Sequence, residues 1–563
     1  MAYFQLPREQ DPSVNFNWVE IMTYWPGAAA IDVEKRVTEP LEEGLKRIQD
    51  VRFVSSVSRE GVSTILVRFQ DIGADAFDSR VADLRREILA KLDELPDEAR
   101  QPEVVEITSA NAFPTATVVA WAESEGIVLQ REARRIRDDI KRMDSVDRVM
   151  VAGIREPELR VGFMPERLVG LGVSPVDLAD SVSAYFRDLA AGKLIIGDQR
   201  WLVRLAGTSN DPSLLEQFPI VTAAGEIPLR AVAEVKEGLE DPQHLVRYQG
   251  RPAVLLWVTK QERANNLALL ERVRGYIEER NRFTASNGVE LALLDDQTLS
   301  TRNAIRVMES NALIGLALVV LSVGLFLGWR TALITSVGIP FVLAGTFLAV
   351  LLLGQTLNTT VLLGIVISLG MLVDDAVVVV EAIQYHIGQG KKAIQAARLA
   401  LNEVALPVTT AVLTTIAAFL PLIMMPGVLG DFMRVVPIVV TIALLLSLVE
   451  AFWMLPTHMA SFQPRTVRRG LVARWRGRLI RPVKRRYLTL LLAGLRRPWL
   501  SLTGGAALLG LAVFALASGV VRVDFFATDL YRMFYVNVDL PAGSTLEKTL
   551  ETVARVEQRV RSE

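Results

Sequence analysis

Two neighbouring carboxylates, Asp374 and Asp375, stand inside a stretch from Thr360 to Glu381 that otherwise reads as membrane helix. A carboxylate at the centre of a spanning helix costs roughly 2.5–3.5 kcal/mol on insertion scales, so a pair of them is not expected in a simple anchor. Acids kept at that depth serve proton or ion movement, and reversible protonation inside a transporter is the chemistry this pair can do. The structural alternative is a pair satisfied by a basic partner on another helix. Glu450, between Val449 and Ala451, is a third acid in an apolar run, one that ends at Pro456. It lies roughly two turns from the cytoplasmic boundary, so it is expected to snorkel or to pair with an arginine. A direct part in proton movement is the other reading. Glu381 closes its own span and is read as interfacial.

Other chemistries find less support. An intramembrane aspartyl protease needs one carboxylate from each of two facing helices, whereas neighbours on one helix point about 100° apart. The three histidines, His244, His386 and His458, are scattered without ligand spacing. With zero cysteines, disulfides and thiolate metal sites are excluded. Nucleic-acid binding has no support beyond one arginine-rich stretch.

Acids at this depth need a scaffold that crosses the bilayer. The chain has 563 residues, 51% of them hydrophobic, and a net charge of −1, but these averages hide a partition. Residues 1 to about 305 are mixed and charged, about 311–521 is dominated by apolar runs, and the remainder is again soluble-like. Six segments are long enough for a bilayer of about 30 Å, near 311–328, 332–353, 359–382, 405–425, 435–456 and 499–521. Arg330, Lys391, Lys392 and Arg398 fall in alternate connections. The connection 457–497 holds twelve Lys/Arg and no acid, while 354–358 and 426–433 have no Lys or Arg. The positive-inside rule makes the basic connections cytoplasmic. An even number of spans then puts 1–305 and 522–563 on the same outer face. The stretch Val467 to Tyr487 has apolar and basic residues at helical spacing. Its place between two spans favours an interfacial helix on anionic lipid over an RNA-binding segment.

The outer block alternates strand and helix. Phe16–Tyr24 is strand-like and Trp25–Ala28 a turn. A helix from about Ile31 to Ile48 carries Asp32, Glu34 and Glu39 toward its start, where the macrodipole favours acids. Phe53–Ser58 and Thr64–Phe69 form a hairpin around Glu60 and Gly61, and a second helix from about Ala76 to Leu92 is stopped by Pro96. This β-α-β-β-α order predicts ferredoxin-like, split βαβ subdomains. The rhythm returns with a strand at 115–122, a helix at 129–143 and strands at 147–153 and 157–163. A helix at Ser174–Asp188 follows, and 190–260 reads mostly as strand. The pattern of Val19–Asp32 recurs at Tyr535–Glu547, pairing Pro26 with Pro541 and Ile31 with Leu546, and predicts a second outer block beginning there.

Four pieces carry a family resemblance: Tyr24-Trp-Pro-Gly-Ala28; Phe326-Leu-Gly-Trp-Arg-Thr-Ala-Leu-Ile-Thr-Ser-Val-Gly-Ile-Pro-Phe341; Gly370-Met-Leu-Val-Asp-Asp-Ala-Val-Val-Val-Val-Glu381; and Leu540-Pro-Ala-Gly543. In this order and spacing the chain resembles the resistance-nodulation-division (RND) superfamily of proton-driven efflux transporters. The pattern is that of the inner-membrane pump of hydrophobe/amphiphile exporters, the acriflavine-resistance type. The resemblance implies a polytopic α-helical membrane protein with α+β, ferredoxin-like periplasmic porter subdomains. Residues 1–305 become a periplasmic porter and docking block, 306–456 five transmembrane helices, 457–497 a cytoplasmic basic amphipathic helix, 498–521 a sixth transmembrane helix, and 522–563 the start of a second porter block. It further implies a multi-pass protein of the bacterial inner membrane, not an enzyme, acting as a homotrimer with a periplasmic adaptor and an outer-membrane channel. Small amphiphilic substrates would leave by drug/H+ antiport, with no cofactor and the proton motive force as energy source. Asp374 and Asp375 would form the proton relay, driving alternating access in the porter domains.

The resemblance does not name substrate-pocket residues; Phe113, Trp121 and Phe186 are apolar candidates that suit a core equally well. The family pattern also includes a first helix that exports the outer block and a second membrane half. Against it the chain is expected to be a truncated pump. The alternatives are an inert or regulatory fragment, a protein-translocation accessory of the superfamily, and a metal-exporting branch. Met22 and Met164 do not supply the methionine cluster that metal export calls for.

Overall fold

The computed structural model describes residues 2–186, 189–196, 199–205, 208, 211–222, 225–242, 244–283, 288–326, 328–461, 471–520, 535–541 and 543–562. The chain divides into two compact units, residues 1–115, 259–270 and 296–536, and residues 116–258, 271–295 and 537–563.

In the first unit, β1 (Asn15–Tyr24) buries Val19, Ile21 and Thr23 on alternate positions, the period of a strand with one covered face. Helix α1 starts at Ala30–Val33, widens through one π-type turn at Glu34–Thr38 and continues as Glu39–Leu45. Val33, Val37, Leu41 and Leu45 recur every four residues and are buried. Strands β2 (Val51–Arg59) and β3 (Val62–Phe69) form the expected hairpin. Helix α2 (Ala74–Ala90) turns Phe77, Val81, Leu84 and Ile88 onto the same core. A further strand, β4 (Glu103–Thr108), pairs with β1 and completes the antiparallel order β2-β3-β1-β4. This is a full ferredoxin-like βαββαβ unit. Sequence reading missed β4 because Glu103 and Glu106 interrupt its apolar run; an edge strand carries acids that a central one does not.

The second unit repeats the plan with an insertion. Strand β5 (Ala116–Ala122), helix α3 (Ile127–Lys141) and strand β6 (Val146–Ala152) lie where expected. The expected hairpin to the next strand does not form. The chain turns at Gly153 with φ +84, and β7 (Pro157–Phe163) pairs with a strand from much later in the sequence. Helix α4 (Pro175–Tyr185) follows, started by a reciprocal capping box between Ser174 and Asp177. Strand β8 (Ala233–Leu239) is the partner of β7. Around them a separate small core gathers Leu168, Leu178, Leu215, Ile220 and Val235. The third strand of the ferredoxin-like sheet is then supplied by β9 (Arg251–Lys260), followed by α5 (Asn266–Asn281) and β10 (Val289–Asp296). β9 lies between β5 and β6, and β10 flanks β5 on its other side.

Among the described residues, six helices are long and apolar enough to cross a membrane: Thr298–Leu325, Ala332–Leu352, Thr359–Gly388, Ala393–Ile423, Gly427–Ser461 and Pro498–Ala517. They overlie the six expected segments, the first, fourth and fifth starting well before them and the third and fifth ending beyond them, while the first, second, fourth and sixth stop short of the expected ends. The connection expected between the third and fourth spans, the one with Lys391, Lys392 and Arg398, shrinks to residues 389–392, because the Gln, Lys, Arg and Glu residues around it are good helix formers and continue both helices beyond the apolar core. The third and fifth spans are the most buried of the six, and glycines let them approach closely. A methyl on Gly364 would meet the Val439 side chain at 3.1 Å. The basic stretch forms a helix over Leu471–Arg496, while residues 462–470 lie outside the described ones. Near the end, residues 535–541 carry no strand, and only the helix of the expected repeat is present, at Leu546–Ser562. A lone extended segment without a ladder partner does not make a sheet.

Candidate functional site

The third span is fixed at its start before it reaches its acids. Asn358 caps it, its Oδ1 accepting from the Val361 N–H at 2.9 Å. The loop before the cap is stitched to the amino-terminal segment: Leu357 donates its backbone N–H to the Pro7 carbonyl at 2.8 Å, and Thr359 to that of Gln10 at 3.0 Å. From there Val361, Ile365, Leu369, Leu372, Ala376, Val379 and Ile383 keep one face of the helix against its neighbours.

Asp374 and Asp375 fall near the middle of this 30-residue helix. Their directions differ, as adjacent helical positions must. Asp375 is half-buried and turned toward the fifth span, where the Ser447 Oγ donates to its Oδ2 at 3.2 Å. Asp374 is on the exposed side of the helix. Among the described residues, neither acid has a Lys or Arg within ion-pair distance. The structure thus brings Asp375 to a hydroxyl and leaves Asp374 outside that contact.

Glu450 does not snorkel, and among the described residues it meets no arginine. It is 3% exposed and opens a π-type turn, Glu450–Met454, in the fifth span. It stands three residues after Ser447, on the side that packs against the second span. There it occupies the space left by the missing side chain of Gly338; a methyl at that glycine would overlap Glu450 Oε1. The sequence signal was present in Gly338, a glycine within an apolar helix, since such a residue marks close approach of a neighbour.

A family model for the AcrB/AcrD/AcrF family matches residues 1–563. The chain belongs to this family. Among curated relatives, the multidrug resistance protein MdtC of Pantoea ananatis is 30% identical over 523 residues, covering 90% of this chain and 50% of its own length. The proteins of that name in Escherichia coli O139:H28 and in Shigella flexneri are each 29% identical over 467 residues, covering 81% of this chain and 45% of theirs. The chain therefore spans about half the length of the relatives it matches. The family is the RND family, and the chain has its architecture, a polytopic α-helical membrane protein with α+β porter-like domains.

The other sequence-named residues of this AcrB/AcrD/AcrF family member are dispersed. Glu381 is exposed, and His386 Nε2 lies 3.2 Å from Glu403. Phe113 is 73% exposed. Trp121 lies under the Arg251 guanidinium, 4.6 Å from the ring centre, and Phe186 is exposed just after α4. In the second unit, a cavity of about 510 Å³ between α3 and α5 is lined by Glu132, Arg135, Asp139, Tyr276 and Arg280. Four of its polar groups pair with one another. Arg280 pairs with Glu132, and the Tyr276 hydroxyl donates to Asp139 at 2.7 Å. Burial, and next that bond to Asp139, push the Tyr276 phenol above its usual range.

Proposed function

We propose that this chain belongs to a pump that exports hydrophobic or amphiphilic compounds in exchange for protons across the bacterial inner membrane, with Asp374 and Asp375 as the proton-carrying pair. The observation that carries the reading is the setting of Asp375. It lies midway along one of the two most buried spans and accepts a hydrogen bond from Ser447, and no cation is paired with it among the described residues. When Asp375 is charged it accepts from the Ser447 hydroxyl; when it takes up a proton it becomes a donor and its attraction to that hydroxyl changes sense. Protonation thereby alters which contacts between the third and fifth spans are favourable. The bonds from Leu357 and Thr359 to the amino-terminal segment give a shift of the third span a path outward.

In this reading residues 1–305 and 522–563 are periplasmic, 306–456 and 498–521 hold the spans, and 457–497 lies on the cytoplasmic leaflet. The alternation of basic connections with ones that hold no Lys or Arg supports that sidedness. The energy source is the proton motive force, with no cofactor. The working assembly is a homotrimer with a periplasmic adaptor and an outer-membrane channel, as the family pattern implies. The test is substrate-driven proton flux in liposomes carrying the intact pump. Asp375→Asn is expected to abolish the flux at unchanged membrane insertion, and wild-type flux from that variant overturns the assignment.

A further inference from the structure

Glu450 has no task in the relay as drawn, yet it is the most deeply buried acid of the membrane helices, at 3% exposure. Three features surround it. Gly338 on the second span provides the space that holds its carboxyl group. The fifth span widens into its π-type turn at Glu450 itself, and such single-turn bulges recur at functional positions. Among the described residues no side chain donates a hydrogen bond to the Glu450 carboxyl group and no cation pairs with it. One turn before it on the same span, the Ser447 hydroxyl donates to Asp375, so the two acids lie along one stretch of the third and fifth spans.

The helices packed on this turn bring little else that titrates. The second span has no Asp, Glu, His, Lys, Arg or Tyr from Ala332 to Leu352. The third brings Asp374 and Asp375, with Glu381, Tyr385 and His386 farther toward its end, and the fifth carries His458 near its own end. A charged carboxylate with neither a hydrogen bond nor a counter-ion is not stable in such surroundings, whereas a neutral carboxylic acid is. Two carboxylates sharing one poorly hydrated site also do not both carry charge readily, so their protons are coupled.

We propose that Glu450 is a third proton-bearing group of the membrane site: it holds a proton while Asp375 is charged and exchanges it with Asp375, and Gly338 is the notch that seats it. In the exchange the O–H bond on Glu450 breaks as one forms on Asp375, so the charge moves from one acid to the other and the total is unchanged. This rests on the proton-coupled reading above and extends it to a residue outside the adjacent pair.

Infrared difference spectroscopy of the full chain in lipid, recorded between acid and alkaline pH, reads protonated carboxyl groups without any need for transport. Glu450→Gln is expected to remove one protonated-carboxyl band, and Asp375→Asn to shift the pH at which that band changes. Identical bands in Glu450→Gln and wild type overturn the proposal. Should Glu450→Gln fail to insert, Glu450→Asp keeps an acid but withdraws it from the Gly338 notch. Its band is then expected at an altered frequency, and an unaltered band is equally fatal. Proton flux measured alongside separates the two ideas. A wild type that moves no protons defeats the transport reading, whereas a wild type that moves protons beside a Glu450→Gln variant with an unchanged pH profile and an unchanged band defeats only this one.

Discussion

Lys260 donates to the Glu9 carboxylate across 2.6 Å with both side chains withdrawn from solvent, at 6% and 1% exposure. The Thr356 hydroxyl donates to the same carboxylate, and Ser13 does so more weakly at 3.4 Å. Thr356 lies in the loop that leads to the Asn358 cap, so this cluster sits at the head of the helix that bears the two aspartates. Removing one partner of a buried pair typically costs 3–5 kcal/mol, because the other charge is left unmatched. Lys260→Met is therefore expected to lower stability by about that amount. Pairing it with Glu9→Gln is expected to recover a large part. A double-mutant cycle by thermal unfolding measures both, and equal losses in the single and double variants contradict the buried pairing.

The serine beside Asp375 predicts a graded effect. Ser447→Ala removes one donor to a carboxylate, a loss of about 1.5–3 kcal/mol at most, and is expected to slow proton-coupled export without abolishing it. Asp374→Asn and Asp375→Asn are each expected to abolish export while membrane levels and assembly stay unchanged. Substrate-driven proton flux distinguishes the grades.

Gly338 predicts a steric conflict with a specific remedy. Gly338→Ala forces Glu450 out of its place and is expected to cost about 1–3 kcal/mol, the usual penalty of overpacking. Shortening the opposing side chain by Glu450→Ala in the same chain is expected to restore the melting temperature toward wild type. If the double variant melts no higher than Gly338→Ala alone, the two residues are not in contact.

Sidedness is open to a direct check. Reporter fusions at residue 392 and residue 430 are expected to report cytoplasm and periplasm respectively. The reverse pattern inverts the arrangement.

Tyr276 gives the second unit a pH signature. Its phenol has a raised pKa in the fold, so between the unfolded value of about 10 and the folded value the unfolded chain binds fewer protons. Stability then falls as pH rises. The contribution is complete below about pH 10 and is lost as the pH climbs through the folded value. Tyr276→Phe is expected to lose about 1 kcal/mol near neutral pH through the missing bond to Asp139, and to flatten the alkaline end of the unfolding curve. An unchanged alkaline slope argues against the bond.

The sequence made plain what repeats at short range. The six apolar runs, the hairpin around Gly61, both helices of the first ferredoxin-like unit and α3 of the second follow from local period alone, whereas α5 was not read; two acids in an apolar run draw attention without any structure. It concealed what depends on partners distant in the chain. β7 alternates as well beside β6 as beside β8, so its period does not reveal that β9 takes the intervening place. Depth of burial was hidden for the same reason. Glu450 was read by its distance from the end of its helix, but its surroundings are set by Gly338 on another helix, and only the packing of the two shows the fit.

Because Asp374 and Asp375 occupy successive positions, their side chains differ in heading by about 100° around one axis. Ser447 at present addresses only the second of them. A turn of the third span about its own axis through that angle would bring Asp374 toward the same hydroxyl. Rolling of this helix about its own length, rather than tilting or sliding, is therefore the movement by which a single donor can greet both acids in turn.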